Sequence, residues 1–441
     1  MRLVDSNEPW LGKVPADWKR SRIRNVAKLS PSYSSNPPVA DEVCTIVPME
    51  LLSEDGVIDV SNQQPLDEAQ LGLTLFERGD VLFAKITPCM ENGKGAFVRK
   101  LPTRYAFGST EFHVLRPGEE ADGKFLYYVT FNPVFRAYAT ENMTGAAGQK
   151  RVSSRFLKDT RLFLPPLAEQ ERIAAYLDAS CAELDAAVAA KRRQLETLDA
   201  LRNITIHQAV TRGLDPAAKM QSAGLDWLSE VPAHWIASRI RNVAKSSPGY
   251  SGSPPASDEP CAVVPMELLS NAGTIDTTSS QAFEDVTGGL TLFEAGDVLF
   301  AKITPCMENG KGAFIESLPT RYAFGSTEFH VLRPSHAVDG QFLYYYTFNP
   351  VFRAYVPENM SGAAGQKRVS SRFLKDTRLF LPPLPEQRAI STFLTRKDAE
   401  FRTLFAQIER QIQTLVAYRK ALIHECVTGH RQVTEADVAR V

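Results

Sequence analysis

The second half of this 441-residue chain repeats the first at a constant offset of 217 residues, and no gap is needed anywhere along the alignment. Trp10 recurs as Trp227 and Trp18 as Trp235, and SRIRNVAK starts at Ser21 and again at Ser238. VLFAKITPCMENGKGAF starts at Val81 and Val298, LPTRYAFGSTEFHVLRP at Leu101 and Leu318, and GAAGQKRVSSRFLKDTRLFLPPL at Gly145 and Gly362. Solenoid repeats run to roughly 20–50 residues, so a period this long must be a whole domain plus a connector. Whatever one half folds into, the other half folds into as well.

Each unit has two textures. Its first part, residues 1–165 and 214–382, mixes short β-type runs (VLFAKI, EFHVLRP, DTRLFLP) with Gly, Pro, Ser and Asn breaks. The stretch from Phe125, FLYYVTFNPVFRAYA, carries its aromatic residues at helical spacing. That texture predicts a globular α/β domain in an α+β chain. After the Pro pair of LPPL the composition changes to Ala, Leu, Gln and charged residues without interior Gly or Pro, predicting one long helix over 166–213 and another over 383–430. In the second, Leu394, Phe401, Ile408, Leu415 and Leu422 recur every seven residues, with Leu404 and Tyr418 three positions on. In the first, Leu177, Leu184, Leu198 and Leu201 keep the register while Lys191 and Thr205 interrupt it. Two such seams predict helices of roughly 65 Å packed on each other as a coiled-coil spacer, with polar seam residues fixing the pairing. Residues 431–441 are expected as a polar tail.

Composition excludes more than it suggests. There is no run of apolar residues long enough for a transmembrane helix and no apolar leader after Met1, so the expected location is the cytoplasm. The six cysteines show no CxxC spacing, which fits neither a disulfide framework nor a zinc site. A net charge of −1 means that any nucleic-acid footprint must be local. Catalytic readings fail in turn. Asn36-Pro37-Pro38-Val39 approximates the NPP(F/Y) motif of adenine methyltransferases, but the fourth residue is wrong and the copy, Ser253-Pro254-Pro255-Ala256, lacks the Asn. Gly93-Lys94-Gly95 lacks the glycine spacing and hydroxyl of a P-loop. The histidines, including the repeated His113/His330 and His207/His424, have no metal-ligand spacing. No catalytic, cofactor-binding or metal site is therefore expected.

Three segments suit a nucleic acid better. The first, residues 145–161, is a Gly-rich loop carrying Lys150, Arg151, Arg155, Lys158 and Arg161 against the single anion Asp159. Gln and Arg can pair with base edges, while Lys and Ser suit phosphate contacts. The second, residues 85–94, is a turn dense in donors and acceptors behind an apolar strand. The third is Arg104-Tyr105 with Ser109, Thr110 and Glu111. The candidate DNA-binding residues are Lys85, Thr87, Asn92, Lys94, Arg104, Gln149, Lys150, Arg151 and Arg155. Their copies are Lys302, Thr304, Asn309, Lys311, Arg321, Gln366, Lys367, Arg368 and Arg372.

Trp10-Leu-Gly-x-Val-Pro-x-x-Trp18, the Gly148-Gln149 loop, Leu164-Pro-Pro-Leu-Ala-Glu169-Gln170 opening a long helix, and Thr211-Arg-Gly213 closing it together resemble the specificity (S) subunits of type I restriction-modification systems. The copy carries Trp227, Trp235, Gly365-Gln366, Leu381-Pro-Pro-Leu-Pro-Glu386-Gln387 and Thr428-Gly429. The resemblance implies two target recognition domains, each reading one half of a bipartite site in double-stranded DNA. It implies antiparallel spacer helices relating them by a pseudo-two-fold axis and docking two methyltransferase subunits, which a translocating restriction subunit joins. It implies no catalysis by the chain itself. Because the candidate reading loops are identical in both halves, the expected target is an interrupted inverted repeat, with half-sites spaced by roughly one to two duplex turns of about 34–36 Å. The halves differ at 53–72 against 270–289 and at 30–43 against 247–260, so unequal half-sites would place base contacts there. Other readings of the same features are a coiled-coil protein-interaction scaffold, an enzyme acting on DNA unaided, and a specificity subunit of a type IIB-like or modification-only complex.

Overall fold

The computed structural model describes residues 2–68, 73–146, 148–286, 288–362 and 366–441. They form two compact units, Met1–Arg192 with Arg410–Val441, and Arg193–Glu409. Each unit has the same make-up: a globular domain, the start of the long helix that follows it, and the end of the other long helix.

In the first domain the apolar runs become strands of two four-stranded sheets. Gln63–Pro65, Val43–Val47, Ala106–Gly108 and Thr74–Phe76 make one, with Val43–Val47 and Ala106–Gly108 parallel. Ala27–Leu29, Phe112–Pro117, Val81–Ala84 and Gly95–Phe97 make the other, antiparallel throughout. Val81–Ala84 is buried at every position because it is covered on both faces. Val81 and Phe83 join the cluster around Phe125 and Phe135, while Leu82 joins Val47, Phe76 and Val114. This is the two-residue alternation of a strand read into two cores. The aromatic segment forms two helices, Gly123–Phe131 and Pro133–Glu141, instead of one continuous stretch. Pro133 has no N–H to offer the preceding turn, so the chain breaks there and Asn132 caps the second helix by accepting from the Val134 N–H at 3.0 Å. The second domain repeats the sheets with Ser280–Ala282, Pro260–Val264, Ala323–Gly325 and Thr291–Phe293, and with Ala244–Ser246, Phe329–Pro334, Val298–Ala301 and Gly312–Phe314.

The first spacer helix spans Leu167–Arg212 and the second Leu384–Val427. In each unit the start of one lies beside the end of the other, so the pair runs antiparallel. Burial along the second helix follows Leu394, Asp398, Phe401, Phe405, Ile408, Ile412, Leu415, Arg419, Leu422 and Cys426, steps of four and three. The second seam row thus lies four residues after the first, and Leu404 and Tyr418, placed three after it by the heptad reading, are 44% and 49% exposed. Residues three and four ahead of a seam position flank the same row, so spacing alone cannot choose between them. The first helix follows the same rule: Leu201 is 52% exposed, while Cys181, Val188, Leu195 and Arg202 take the second row. Lys191 and Thr205 are both partly buried within that seam.

The two units differ inside the seam. Arg202 and Asp398 form an ion pair at 2.6 Å, with side chains only 10% and 6% exposed. The copy of Arg202 is Arg419, but the copy of Asp398 is Cys181, and Arg419 turns to Asp185 at 3.0 Å, whose side chain is 48% exposed.

Each domain also grips its helix ends. Gln170, 1% exposed, donates to the carbonyls of Glu120 and Pro165 and accepts from the Asp122 N–H at 2.9 Å. Gln387 repeats this with Ala337, Pro382 and Asp339. Gly213, at φ +74°, ends the first helix against Trp235 and Glu386, and Gly429, also at φ +74°, ends the second where a Cβ would overlap the Pro15 ring. The last residues, expected as a polar tail, bury Val433 at 2% exposure, and Arg172 Nε donates to the Val433 carbonyl at 2.8 Å. A short helix, Glu435–Val438, follows, capped by Thr434.

Two measurements follow from the seam and the buried imidazoles. Asp398→Ala leaves Arg202 buried and uncompensated, so chemical denaturation should show a loss of about 3–5 kcal/mol. Asp185→Ala removes a largely solvated partner and should cost about 1 kcal/mol or less. Burial lowers the pKa of His113, His207, His330 and His424. The unfolded chain then takes up protons near the ordinary histidine value of about 6.5 that the folded one refuses, so stability falls as pH drops below it. The urea midpoint should decrease between about pH 7.5 and pH 5.5, and a flat profile would contradict this assignment.

Candidate nucleic-acid interface

Two of the three candidate segments meet at one edge of each domain. In the first domain Thr144 and Arg151 pair antiparallel, the Arg151 N–H donating to Thr144 O at 2.8 Å and the Thr144 N–H to Arg151 O at 3.0 Å. Arg151 also bridges Ile86, and the Thr87 N–H donates to Lys150 O at 3.0 Å. The Val152 N–H in turn donates to Lys85 O at 2.8 Å. Gly145 has φ +127°, and a Cβ there would stand 2.9 Å from Gln149 O, so glycine is what lets the loop close this tightly. In the second domain Met360–Ser361 pairs with Arg368–Val369, and the Thr304 N–H donates to Lys367 O at 3.0 Å. Ala147 of the first loop and Gly365 of the second lie outside the described residues, as do residues 1, 69–72, 287, 363 and 364.

Several of the predicted residues are held by partners in their own domain, although Arg104, Arg151, Arg321 and Arg368 stay substantially exposed. Glu111 holds the Arg151 guanidinium through two oxygens, with Nη2–Oε1 at 2.8 Å and Nε–Oε2 at 3.0 Å, and that guanidinium keeps the Glu111 carboxyl below its usual pKa. Glu328 does the same for Arg368, at 2.9 Å. Lys94 Nζ donates to Met49 O at 2.9 Å, and Lys311 Nζ to Met266 O at 2.8 Å. Arg104 stacks over the Tyr105 ring at 4.5 Å and donates to Asn36 O; Arg321 stacks over Tyr322 at 4.6 Å and pairs with Glu259 at 2.9 Å. Arg104 precedes the strand Ala106–Gly108 while Ser109 and Glu111 follow it, so the third segment is split between the two ends of that strand. Lys85, Thr87, Lys302 and Thr304 are half-buried at the junction with the hairpin. Asn92, Gln149, Lys150 and Arg155, with Asn309, Gln366, Lys367 and Arg372, are exposed.

This edge is braced from behind by a residue that the sequence reading did not single out. Arg136 is 7% exposed and donates to Thr130 O at 3.1 Å, Met90 O at 2.8 Å and Lys94 O at 3.3 Å, while its guanidinium lies 4.9 Å from the Phe83 ring centre. Among the described residues no carboxylate takes part, and burial pushes its pKa down to about 10. Arg353 repeats the arrangement on Thr347, Met307 and Lys311. The carbonyls it gathers belong to the turn that bears Asn92 and Lys94. An arginine in an otherwise apolar helical segment was the available signal. Glu111 was grouped with Arg104 in the sequence, and only the fold sets it against Arg151. His113 Nε2 meets Val152 O at 2.8 Å, a structural role for the repeated histidine.

The edge offers exposed amide and cationic groups, a chemistry that suits base edges and phosphates. Among the described residues, no group of three or more His, Cys, Asp or Glu side chains is placed to hold a metal ion. No helix among them is long and apolar enough to cross a membrane.

Comparison with known proteins agrees with this architecture. The family model described as the type I restriction modification DNA specificity domain matches residues 15–197 and 269–414. The EcoAI specificity subunit of Escherichia coli is 34% identical over 164 residues, 36% of this chain and 27% of that protein. The EcoEI specificity subunit, also from Escherichia coli, is 31% identical over 176 residues, 39% of this chain and 29% of that protein. These two matches span less than a third of either relative. The putative MjaX specificity subunit of Methanocaldococcus jannaschii is 20% identical over 400 residues, 88% of each chain. Among solved structures, a chain from work on complex assembly and conformational transition of the type I R-M system superposes with a TM-score of 0.73 at 17% identity, covering 95% of this chain and 99% of that one. The HsdS subunit from Thermoanaerobacter tengcongensis gives 0.53 at 18% identity, covering 95% and 98%. At such identities the likeness concerns the fold, and it is the fold derived above: duplicated mixed domains and two long antiparallel helices. With the family model matching well over half of its length, the chain belongs to the type I restriction-modification specificity subunits.

Proposed function

We propose that this chain is the DNA-reading subunit of a restriction-modification complex, each domain reading one half of a bipartite duplex site through the hairpin at 144–151 or its copy and the adjoining turn. The observation that carries this is the exposed Gln149–Lys150 pair on a loop whose base is fixed by Glu111 and Arg151, repeated as Gln366–Lys367 on Glu328 and Arg368. A glutamine amide can pair with adenine in the major groove, and a lysine can reach guanine or phosphate. Because the two edges carry the same residues on a chain whose spacer helices run antiparallel, the target is an interrupted inverted repeat.

The chain itself performs no chemistry in this reading. Methyltransferase subunits bring S-adenosylmethionine and modify an adenine flipped out of each half-site. Docking on the spacer is supported by large apolar side chains left on its surface. Leu201, Ile204 and Leu404 are 52%, 52% and 44% exposed in one unit, and Val416 and Tyr418 37% and 49% in the other. The cytoplasm is where such a complex meets its DNA.

Long-read mapping of N6-methyladenine in cells co-expressing the chain with its adjacent methyltransferase should reveal one methylated inverted repeat with a fixed gap. Two unequal half-sites would move base reading into 53–72 and 270–289. No methylation, with a methyltransferase shown competent beside another specificity subunit, would refute the reading. Gln149→Ala should relax the motif at one position of one half-site by about 1–3 kcal/mol of discrimination, leaving the other half-site intact. Lys150→Ala should instead weaken binding to all sequences alike.

A further inference from the structure

Close in sequence to the proposed reading hairpin lies a second feature, with a surplus of cations. The strand Lys19–Arg22 pairs with Arg161–Leu164, setting Arg22 opposite Arg161, and the helix Ser154–Asp159 lies next to them. Three arginines converge on Asp159: Arg24 at 3.0 Å, Arg22 at 3.6 Å and Arg155 at 3.8 Å. In the second domain Arg241, Arg239 and Arg372 converge on Asp376 at 2.6, 3.9 and 3.9 Å. One carboxylate cannot satisfy three guanidiniums, each with five N–H donors, and Arg155 and Arg372 remain 93% and 94% exposed. Asp159 Oδ1 lies 3.0 Å from Arg24 Nη1 and 3.6 Å from Arg22 Nη1 without a well-aligned hydrogen bond to either, so the convergence is loose.

The charge balance of the cluster is the same in both domains although its members are not. In the first, Arg20, Arg22, Arg24, Arg155, Lys158 and Arg161 face Glu8 and Asp159, a net of +4. In the second, Arg239, Arg241, Arg372, Lys375 and Arg378 face Asp376 alone, again +4. Arg20 and Glu8 form an ion pair at 3.0 Å, and both are absent from the copy, where Ala237 and Leu225 stand in their places. A chain with a net charge of −1 thus holds two local surpluses of four. Arg155 follows Arg151 by four residues, a reach of at most about 14 Å, so one duplex on the hairpin also passes the cluster.

We propose that each arginine cluster, centred on Arg22, Arg24 and Arg155 and on Arg239, Arg241 and Arg372, clamps the phosphate backbone of the duplex flanking its half-site, independently of sequence. It rests on the DNA-reading role proposed above. A phosphate accepts bidentate guanidinium pairs that one shared aspartate leaves open. Phosphate contacts position a protein without reading bases.

The test is salt-dependent binding of the full chain to a duplex of about 40 base pairs of arbitrary sequence, comparing wild type with R22Q/R24Q/R239Q/R241Q. Each phosphate contact removed lowers the slope of log affinity against log salt by about 0.9, so the variant should lose roughly two to four units of slope and at least about tenfold in affinity near 0.1 M salt. The methylation motif in cells should stay the same while occupancy falls. Unchanged slope and affinity would overturn the proposal, and if the variant instead loses its methyltransferase partner the cluster is a protein-docking surface. Wild type without salt-sensitive duplex binding would sink the DNA-reading role itself. Should the fourfold variant fold poorly, R155Q/R372Q removes the two most exposed arginines and should still lower the slope by about one to two units.

Discussion

The capture of helix ends by the globular domains is the constraint on which the rest depends. An amphipathic helix of 46 residues cannot fix its own direction relative to a neighbouring domain, because rotation about the flanking bonds is free unless something buried forbids it. Gln170 and Gln387 forbid it: each amide is enclosed with donors and acceptors all matched, so tilting the helix strands polar groups away from water. At the far ends, Gly213 and Gly429 adopt the left-handed conformation against Trp235 and Trp18, the tryptophans beside the opening of the opposite helix. His207 meets Asn349 at 3.1 Å and His424 meets Asn132 at 3.2 Å, tying each helix end to the Asn that caps a domain helix. The PPL-x-EQ signature and the helix-ending Thr211-Arg-Gly213 and Thr428-Gly429 are therefore parts of the same joint.

Within the seam, the halves of the duplication have diverged where identity would be a liability. A seam of two equal helices would pair as readily with another copy of the chain as with itself. The Arg202–Asp398 pair on one side, and Arg419 beside Cys181 and Asp185 on the other, make the two halves of the seam unequal. Buried polar groups in coiled coils act in this way, giving up stability for a defined register and partner. The domains show the opposite pattern, since the residues at their candidate edges are the same.

The candidate edge of each domain is supported from behind by buried residues. Arg136 and Arg353 gather the carbonyls of the turn, and Glu111 and Glu328 hold the base of the hairpin. Sequence reading picked out the residues of this edge by composition, but could not separate Gln149 and Lys150 from Lys94, Arg104 and Arg151, whose side chains are tied to partners in the domain.

The duplication, the mixed domains, the two helices and the motifs at their joints were determined by the sequence alone, because repeats, apolar periodicity and helix breakers are local properties of the chain. The break at Asn132–Pro133 was local too, and a stricter reading of Pro133 would have found it. Only the tertiary structure decided which row of the heptad faces inward, since positions three and four ahead flank the same stripe until a partner covers one of them. It also decided which cations are anchored and which are free. Arg151 lies 40 residues from Glu111, and Arg22 and Arg24 more than 130 from Asp159. Long-range pairing of charges is set by how strands and helices pack, and a sequence carries no periodicity that records it.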